Sequence, residues 1–155
     1  MSKTLGSVLL CSLLTAAQPE RFSFAGLSLT VTMKDLLLKY PTSTVSDQRI
    51  SVSAEDSHDD IGAIAVSDMG PGPTVTIYFE RLQRNGDPVY PPCAKLLSGL
   101  ERRYGRPGST MDAQEEEARN RRFVWNTSTE SLTLSCFRMP RQPLYAERIT
   151  ITTRH

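Results

Sequence analysis

The residues best suited to chemistry are an acidic run around one histidine, a cysteine pair and a group of arginines. The run reads Glu55-Asp56-Ser57-His58-Asp59-Asp60. Carboxylates and an imidazole can hold a divalent cation, but a calcium loop of the EF-hand type needs acids at alternate positions, a central glycine and a distant glutamate. The run lacks that spacing and is typical of a charged turn. We therefore predict neither a metal site nor a cofactor.

Catalysis by a side-chain nucleophile has little support in the sequence. The chain has two histidines, His58 and His155, and no Gly-x-Ser-x-Gly turn. A serine or cysteine nucleophile needs a neighbouring base, which only these histidines would supply. A pair of carboxylates stays open, because the two acids of a glycosidase are far apart in sequence. The candidates for such a pair are Glu55, Asp56, Asp59, Glu80, Asp112 and Glu130.

The first 17 residues have the pattern of a secretory signal peptide that is removed. Residues 1–17 contain one lysine, then an apolar run over 5–14, then a small-x-small ending. The run is too short to span a bilayer, which takes about 20 apolar residues. The alternatives are a buried first element, which Pro19 would end at once, and a lipid-anchored Cys11, which would need a small residue where Leu10 stands. The pattern favours export to the periplasm or beyond.

The cysteine count agrees with export. Removing the leader takes away Cys11 and leaves Cys93 and Cys136. A lone pair in an exported chain of this size usually forms one disulfide. The bond would close a loop of about 43 residues, worth about 4 kcal/mol in the chain-entropy model.

Charge is balanced overall but not between the two halves of the chain. The leader holds one of the 18 basic residues and no acid, which leaves 17 basic and 17 acidic residues. Such a balance favours neither nucleic acid nor stable membrane insertion. Residues 18–80 carry four bases and nine acids, and residues 81–155 carry thirteen bases and eight acids. These charges either are simply solvated or form a partner-binding surface in the second half, around Arg102, Arg103, Arg106, Arg121 and Arg122.

Two short helices are predicted, at 33–40 and 93–104. Thr32 followed by Asp35 is the capping-box pattern with Asp in place of Glu. Pro41 ends the first helix, because it forces the preceding residue out of the helical region. Gly105 ends the second as a C-terminal cap.

Six β-type runs accompany the helices, three after each. They are 49–52, 61–66, 74–79, 122–125, 132–137 and 146–152. Alternation at 22–31 predicts a further strand, and the charged stretch 112–121 predicts a mobile loop. The fold class is α+β, an antiparallel sheet with both helices on one face.

The order of elements predicts a tandem αβββ repeat. A shift of 64 positions lays Leu36 on Leu100 and Tyr40 on Tyr104, and a shift of 74 lays 75–77 on 149–151. The first unit covers 18–82, a connector covers 83–92 and the second unit covers 93–155. Joining two such units would double a core that is thin in one. The predicted core consists of Leu36, Leu37, Leu96, Leu97 and Leu100 against Ile50, Val52, Ile77, Val124, Trp125, Leu134 and Ile149.

This layout, with Gly26-Leu27-Ser28-Leu29 leading into Leu36 and Tyr40, resembles small exported α+β domains of the BamE/SmpA kind. Its tandem form is similar to the β-lactamase inhibitor protein, whose units carry disulfides within each repeat. The resemblance implies an α+β fold and a binding module, and no inhibitory residue carries over. We expect an exported, monomeric, non-catalytic protein that binds another envelope protein, as an assembly factor, inhibitor or immunity-type protein. A small periplasmic hydrolase using paired carboxylates is the alternative.

The leader and the cysteine pair together make a prediction for the exported protein. Its intact mass should show the loss of residues 1–17 and of two hydrogens relative to the reduced form. Mass spectrometry with and without reductant measures both. Two free thiols in exported material would contradict the prediction.

Overall fold

The described part of the chain forms two helices and ten strands. The computed structural model describes residues 21–57, 59–68, 70–82, 88–115, 118–139 and 144–154. The predicted leader, His58, His155 and residues 83–87 of the predicted connector lie outside these ranges. The elements, in chain order, are α1 (Met33–Lys39), β1 (Thr44–Ser46), β2 (Arg49–Ser51), β3 (Ala63–Ser67), β4 (Thr74–Tyr78), β5 (Arg81–Leu82), β6 (Pro88–Val89), α2 (Cys93–Tyr104), β7 (Ser109–Glu115), β8 (Ala118–Asn126), β9 (Glu130–Met139) and β10 (Leu144–Thr153).

Eight of the strands form one antiparallel sheet in the order β1-β2-β3-β4-β10-β9-β8-β7. The strand order is symmetric about the central β4–β10 pair, where Thr76 lies opposite Thr150. β5 and β6 form a separate two-stranded sheet, so Pro88–Val89 of the predicted connector is a short strand. In the part of the chain that the structure covers, neither helix is long and apolar enough to cross a membrane.

The α+β class, both helices and the six predicted strands are confirmed. Each helix is followed in the sheet by four strands rather than the expected three, because β1 and β7 add an outer strand at each end. The turn at Asp47, with φ of 51°, lets β1 fold back on β2. That the two halves are copies of one αβββ unit stays a prediction.

Two sequence-based predictions are wrong. The strand expected at 22–31 is a tight turn, because Ala25 and Gly26 both have positive φ and reverse the chain, leaving a single bridge between Phe24 and Leu27. The described residues of 112–121, where a loop is expected, lie in the paired strands β7 and β8. The pairing of Asp112 with Arg121 across this hairpin, at 3.0 Å, shows why opposite charges there favour strands.

The predicted helix caps are confirmed. The Asp35 amide donates to the Thr32 hydroxyl at 3.2 Å, and the Thr32 amide donates back to the Asp35 carboxylate at 2.9 Å. Gly105 ends α2 with φ of 76°. Tyr104, the last residue of α2, packs edge-on against Phe22 with ring centroids 5.1 Å apart, and so fixes the start of the described chain to this helix.

The sheet has two unlike faces. Side chains that share a register position lie on the same face, so Ile50, Ile64, Ile77, Ile149 and Leu134 form one buried row across five strands. The buried leucines of α1 and α2, namely Leu36, Leu96 and Leu100, join the same apolar cluster. We call this side the helix face.

Three predicted core residues are not fully buried. Leu37 is 42% exposed, because it lies about 100° around α1 from Leu36, which is the buried residue of this helix. Val124 is only half-buried, because it alternates with the buried Phe123 and Trp125 and so belongs to the other face of the sheet. Leu97 is partly buried at the edge of the core.

The predicted disulfide is confirmed. Cys93, the first residue of α2, is bonded to Cys136 in β9, with Cα atoms 5.9 Å apart. That separation is ordinary for a disulfide. The bond fixes the start of α2 to the sheet.

Neighbouring leucines of α1 offer a matched test of the packing. Leu36→Ala should lower the free energy of unfolding by about 2–5 kcal/mol, because it leaves a cavity in the core. Leu37→Ala should change it by less than about 0.5 kcal/mol, as surface substitutions usually do. Urea unfolding followed by the fluorescence of Trp125, the single tryptophan, measures both. Equal losses would contradict the orientation of α1.

Candidate functional site

The second face of the sheet, which we call the open face, has no apolar row among the side chains that the structure describes. Its central row crosses β4, β10 and β9 as Thr76, Thr150 and Thr133. All three threonines remain partly accessible although they occupy the middle of an eight-stranded sheet. A covering layer would bury them, so this face is accessible at its centre.

Large side chains stand in the next row of the open face. Tyr78, Arg148, Ser135 and Arg122 lie side by side on β4, β10, β9 and β8. The guanidinium carbon of Arg49, on β2, lies 4.8 Å from the centre of the Tyr78 ring. We call Arg49, Tyr78, Arg148 and Arg122 the arginine stripe. The small Ser135 is buried between two arginines that themselves stay exposed.

The arginine stripe is positively charged, and the described side chains that the strands place on the open face include no acid. The alternating positions of the open face are Ser, Thr, Ala, Val, Asn, Phe, Met, Tyr or Arg wherever the structure describes the side chain. Glu80 stands at the rim just beyond β4, beside a recess of about 420 Å³ that Arg49 and Ala63 also line. Oriented with its amide oxygen toward Arg122, Asn120 accepts from that guanidinium at 3.1 and 3.3 Å. No described side chain forms an ion pair with Arg49 or Arg148.

The five arginines that the sequence indicates as partner-binding do not share one surface. Arg102 and Arg103 are exposed on α2, where Arg103 donates to the Ser23 hydroxyl at 2.8 Å. Arg106 lines a small cavity of about 110 Å³ beside Trp125. Arg121 and Arg122 are consecutive in β8, so they point to opposite faces of the sheet. Of the five, only Arg122 belongs to the arginine stripe.

The carboxylates considered for a catalytic pair are likewise dispersed. Glu130 is buried and accepts from the Phe22 amide at 2.7 Å, which is a structural role. Asp56 accepts from the Thr42 amide at 2.8 Å, and Asp112 pairs with Arg121. Glu55 and Asp59 are exposed, and the recess beside Glu80 contains no second acid among its described lining residues. The described part of the chain thus brings no two of the six together in a cleft.

Sequence reasoning missed one unusual acid, Glu147 in β10. It alternates with Ile149 and Ile151, so it points to the helix face beside Cys136. The residue is only 6% exposed, and its Oε2 atom has no hydrogen-bond partner within the described structure. Burial raises the pKa of the Glu147 carboxyl to about 7. The alternation of Glu147 with Ile149 and Ile151 in the sequence is by itself enough to predict that this acid points inward.

Three other ionisable side chains lie near Glu147. Burial, followed by the charge of Glu80, raises the pKa of the Tyr90 hydroxyl, and Glu147 adds a smaller contribution of the same sign. Arg121 and Arg138 line the cleft into which Glu147 faces. Desolvation is the largest cause of the Glu147 shift, and neither arginine offsets it.

The buried carboxyl predicts a pH-dependent stability. Between about pH 4.5 and pH 7 the unfolded chain ionises at residue 147 while the folded chain keeps its proton, so stability falls as pH rises through this range. Glu147→Gln removes the penalty, and should stabilise the protein by up to about 3 kcal/mol at pH 8 and by little at pH 4.5. Urea unfolding at several pH values measures the difference. Glu101→Gln, on the exposed side of α2, is the control, and parallel curves for wild type and Glu147→Gln would contradict the prediction.

Comparison with known proteins gives no relative from which a site can be transferred, since no family model, curated protein or solved structure matches the chain.

Proposed function

We propose that this chain is an exported, non-catalytic module that binds another envelope protein through the open face of its sheet. The observation that carries the proposal is the arginine stripe. Three exposed arginines and a tyrosine occupy two adjacent rows, near the centre of a face that no described layer buries. Arginine and tyrosine are the residues most enriched in protein interfaces, where they act as anchors.

The partner that this surface fits is an acidic protein surface. Guanidinium groups pair with carboxylates in a planar, two-point geometry, and the described open face offers them no internal acid apart from Glu80 at its rim. Eight strands at about 4.8 Å spacing make the face roughly 30 Å wide, which is the scale of an interface burying about 800 Å² per partner. The surrounding threonines and serines add hydrogen-bonding groups without an aggregation-prone apolar patch.

The proposal also includes export of the chain and duplication of one αβββ unit. The Cys93–Cys136 disulfide supports an oxidising compartment outside the cytosol, in agreement with the leader pattern. The pairing of Thr76 with Thr150 supports a duplicated unit, because these residues also coincide when the sequence is shifted by 74 positions. The resemblance to BamE/SmpA-like and tandem inhibitor domains points to the same class, whether assembly factor, inhibitor or immunity-type protein.

Photo-cross-linking in the source cell tests the proposal. A photoreactive amino acid at Thr150, in the centre of the open face, should give a specific adduct, whereas one at Leu38, exposed on α1, should not. Changing Arg49 and Arg148 to Glu should abolish the Thr150 adduct by repelling the partner carboxylates.

The matched control is the double change of Arg102 and Arg106 to Glu, which alters the charge equally on surfaces outside the open face. It should leave the adduct intact. If the control double variant removes the adduct and the stripe variant does not, the contact surface is the helix end, and the open-face proposal is wrong. An absence of any adduct from Thr150 would also contradict it.

A further inference from the structure

A cleft on the helix face, on the opposite side of the sheet from the arginine stripe, has the composition of a small-ligand site. It lies between the start of α2 and β8–β10 and measures about 450 Å³, within the usual range of ligand pockets. Pro92, Leu97, Phe123 and the Cys93–Cys136 disulfide supply apolar walls. Glu147 supplies a single buried carboxyl.

The unpartnered oxygen of Glu147 is the feature that points to a ligand. A buried polar atom without a partner costs about 1–3 kcal/mol, and natural proteins retain few of them. Glu147 lines the cleft, and its Oε2, which is almost fully buried, accepts no hydrogen bond from any described residue. A donor that comes within hydrogen-bond distance of this oxygen would recover the cost.

We propose that this cleft binds a primary ammonium group carried on an apolar chain, with the ammonium donating to Glu147 and the chain lying against Leu97 and Phe123. The apolar walls exclude a fully hydrated ion, and the carboxyl excludes an anionic head group. A charged donor is favoured over a hydroxyl because the attraction of opposite charges adds to its hydrogen bond with the ionised carboxylate.

The arginines that line the cleft do not reverse this preference. The guanidinium of Arg121 is engaged by Asp112 at 3.0 Å and lies 5.5 Å from the centre of the Phe123 ring. Arg138 is exposed to solvent. Desolvation is the main cause of the raised pKa of the Glu147 carboxyl, neither arginine is among the causes, and Glu147 in turn adds to the raised pKa of Tyr90.

Two sources carry this chemistry, a free alkylamine and the lysine side chain of a protein. In both molecules the ammonium group is attached to a chain of four or more methylene groups. The site is independent of the arginine stripe, so the fate of one proposal does not decide the other.

Titration by NMR and calorimetry distinguishes the outcomes, with n-hexylammonium and N-acetyl-lysine amide as probes and n-hexanol as the neutral control. At pH 8 at least one ammonium probe should bind saturably and n-hexanol should bind at least tenfold more weakly. Glu147→Gln should weaken ammonium binding at least tenfold, and Glu101→Gln should leave it unchanged. Binding by only one of the two probes identifies the source.

The pH dependence adds a readout that a structural role for Glu147 would not give. Because the ammonium selects the ionised carboxyl, wild-type affinity should rise about tenfold between pH 6 and pH 8, with proton release on binding near pH 6.5. Glu147→Gln should show a flat profile, and its fluorescence unfolding curve confirms that it is folded. No saturable ammonium binding, equal binding of n-hexanol, or unchanged affinity in Glu147→Gln would each overturn the proposal.

Discussion

The pairing of β4 with β10 is the contact on which the rest of the molecule depends. Five residue pairs join these strands, and on the helix face they place Val75 against Ile151 and Ile77 against Ile149, all fully buried. Without this pairing each half of the chain would end in an unprotected apolar edge strand, which invites aggregation. With it, four strands from each half form one sheet, and the two helices cover one continuous core rather than two thin ones. The symmetric strand order places the junction at the centre of the sheet, away from both exposed edges.

A sheet covered by helices on one side needs residues on its other side that favour strands and also tolerate water. The row of Thr76, Thr150 and Thr133 meets both needs, because threonine keeps the strand preference of a β-branched residue while presenting a hydroxyl to water. Among the described side chains, the large ones of the open face are the arginine stripe, Met111 and Phe137. Since the core lies on the other face, these positions do not contribute to it. That separation of roles leaves the open face available for the binding that we propose.

The sequence predicted what depends on local patterns and missed what depends on partners in space. Both helices followed from their caps, and six strands followed from alternating β-branched residues, because these signals are local. Leu37 was misjudged because an apolar triplet in a seven-residue helix can bury only one side, and the sequence does not show which. The five arginines predicted as partner-binding do not share one surface for the same reason, since Arg121 and Arg122 are adjacent in the chain but point to opposite faces of the sheet. Arg49 joins Arg148 only through a strand order that no local pattern encodes.

Glu147 is a buried carboxyl with a high desolvation cost, yet it lies in a regular strand. Its strand reads Glu147, Ile149, Ile151 on the inward side and Arg148, Thr150, Thr152 on the outward side, so a one-residue slip would expose both isoleucines and bury an arginine. The register fixed by β4 therefore forces the carboxyl inward at the end of the row, beside the disulfide. Glutamine would satisfy the same register with a smaller desolvation cost above pH 7. A hydrogen-bond donor that binds the carboxyl would offset this desolvation cost, and the apolar cleft that Glu147 lines allows such a donor to approach.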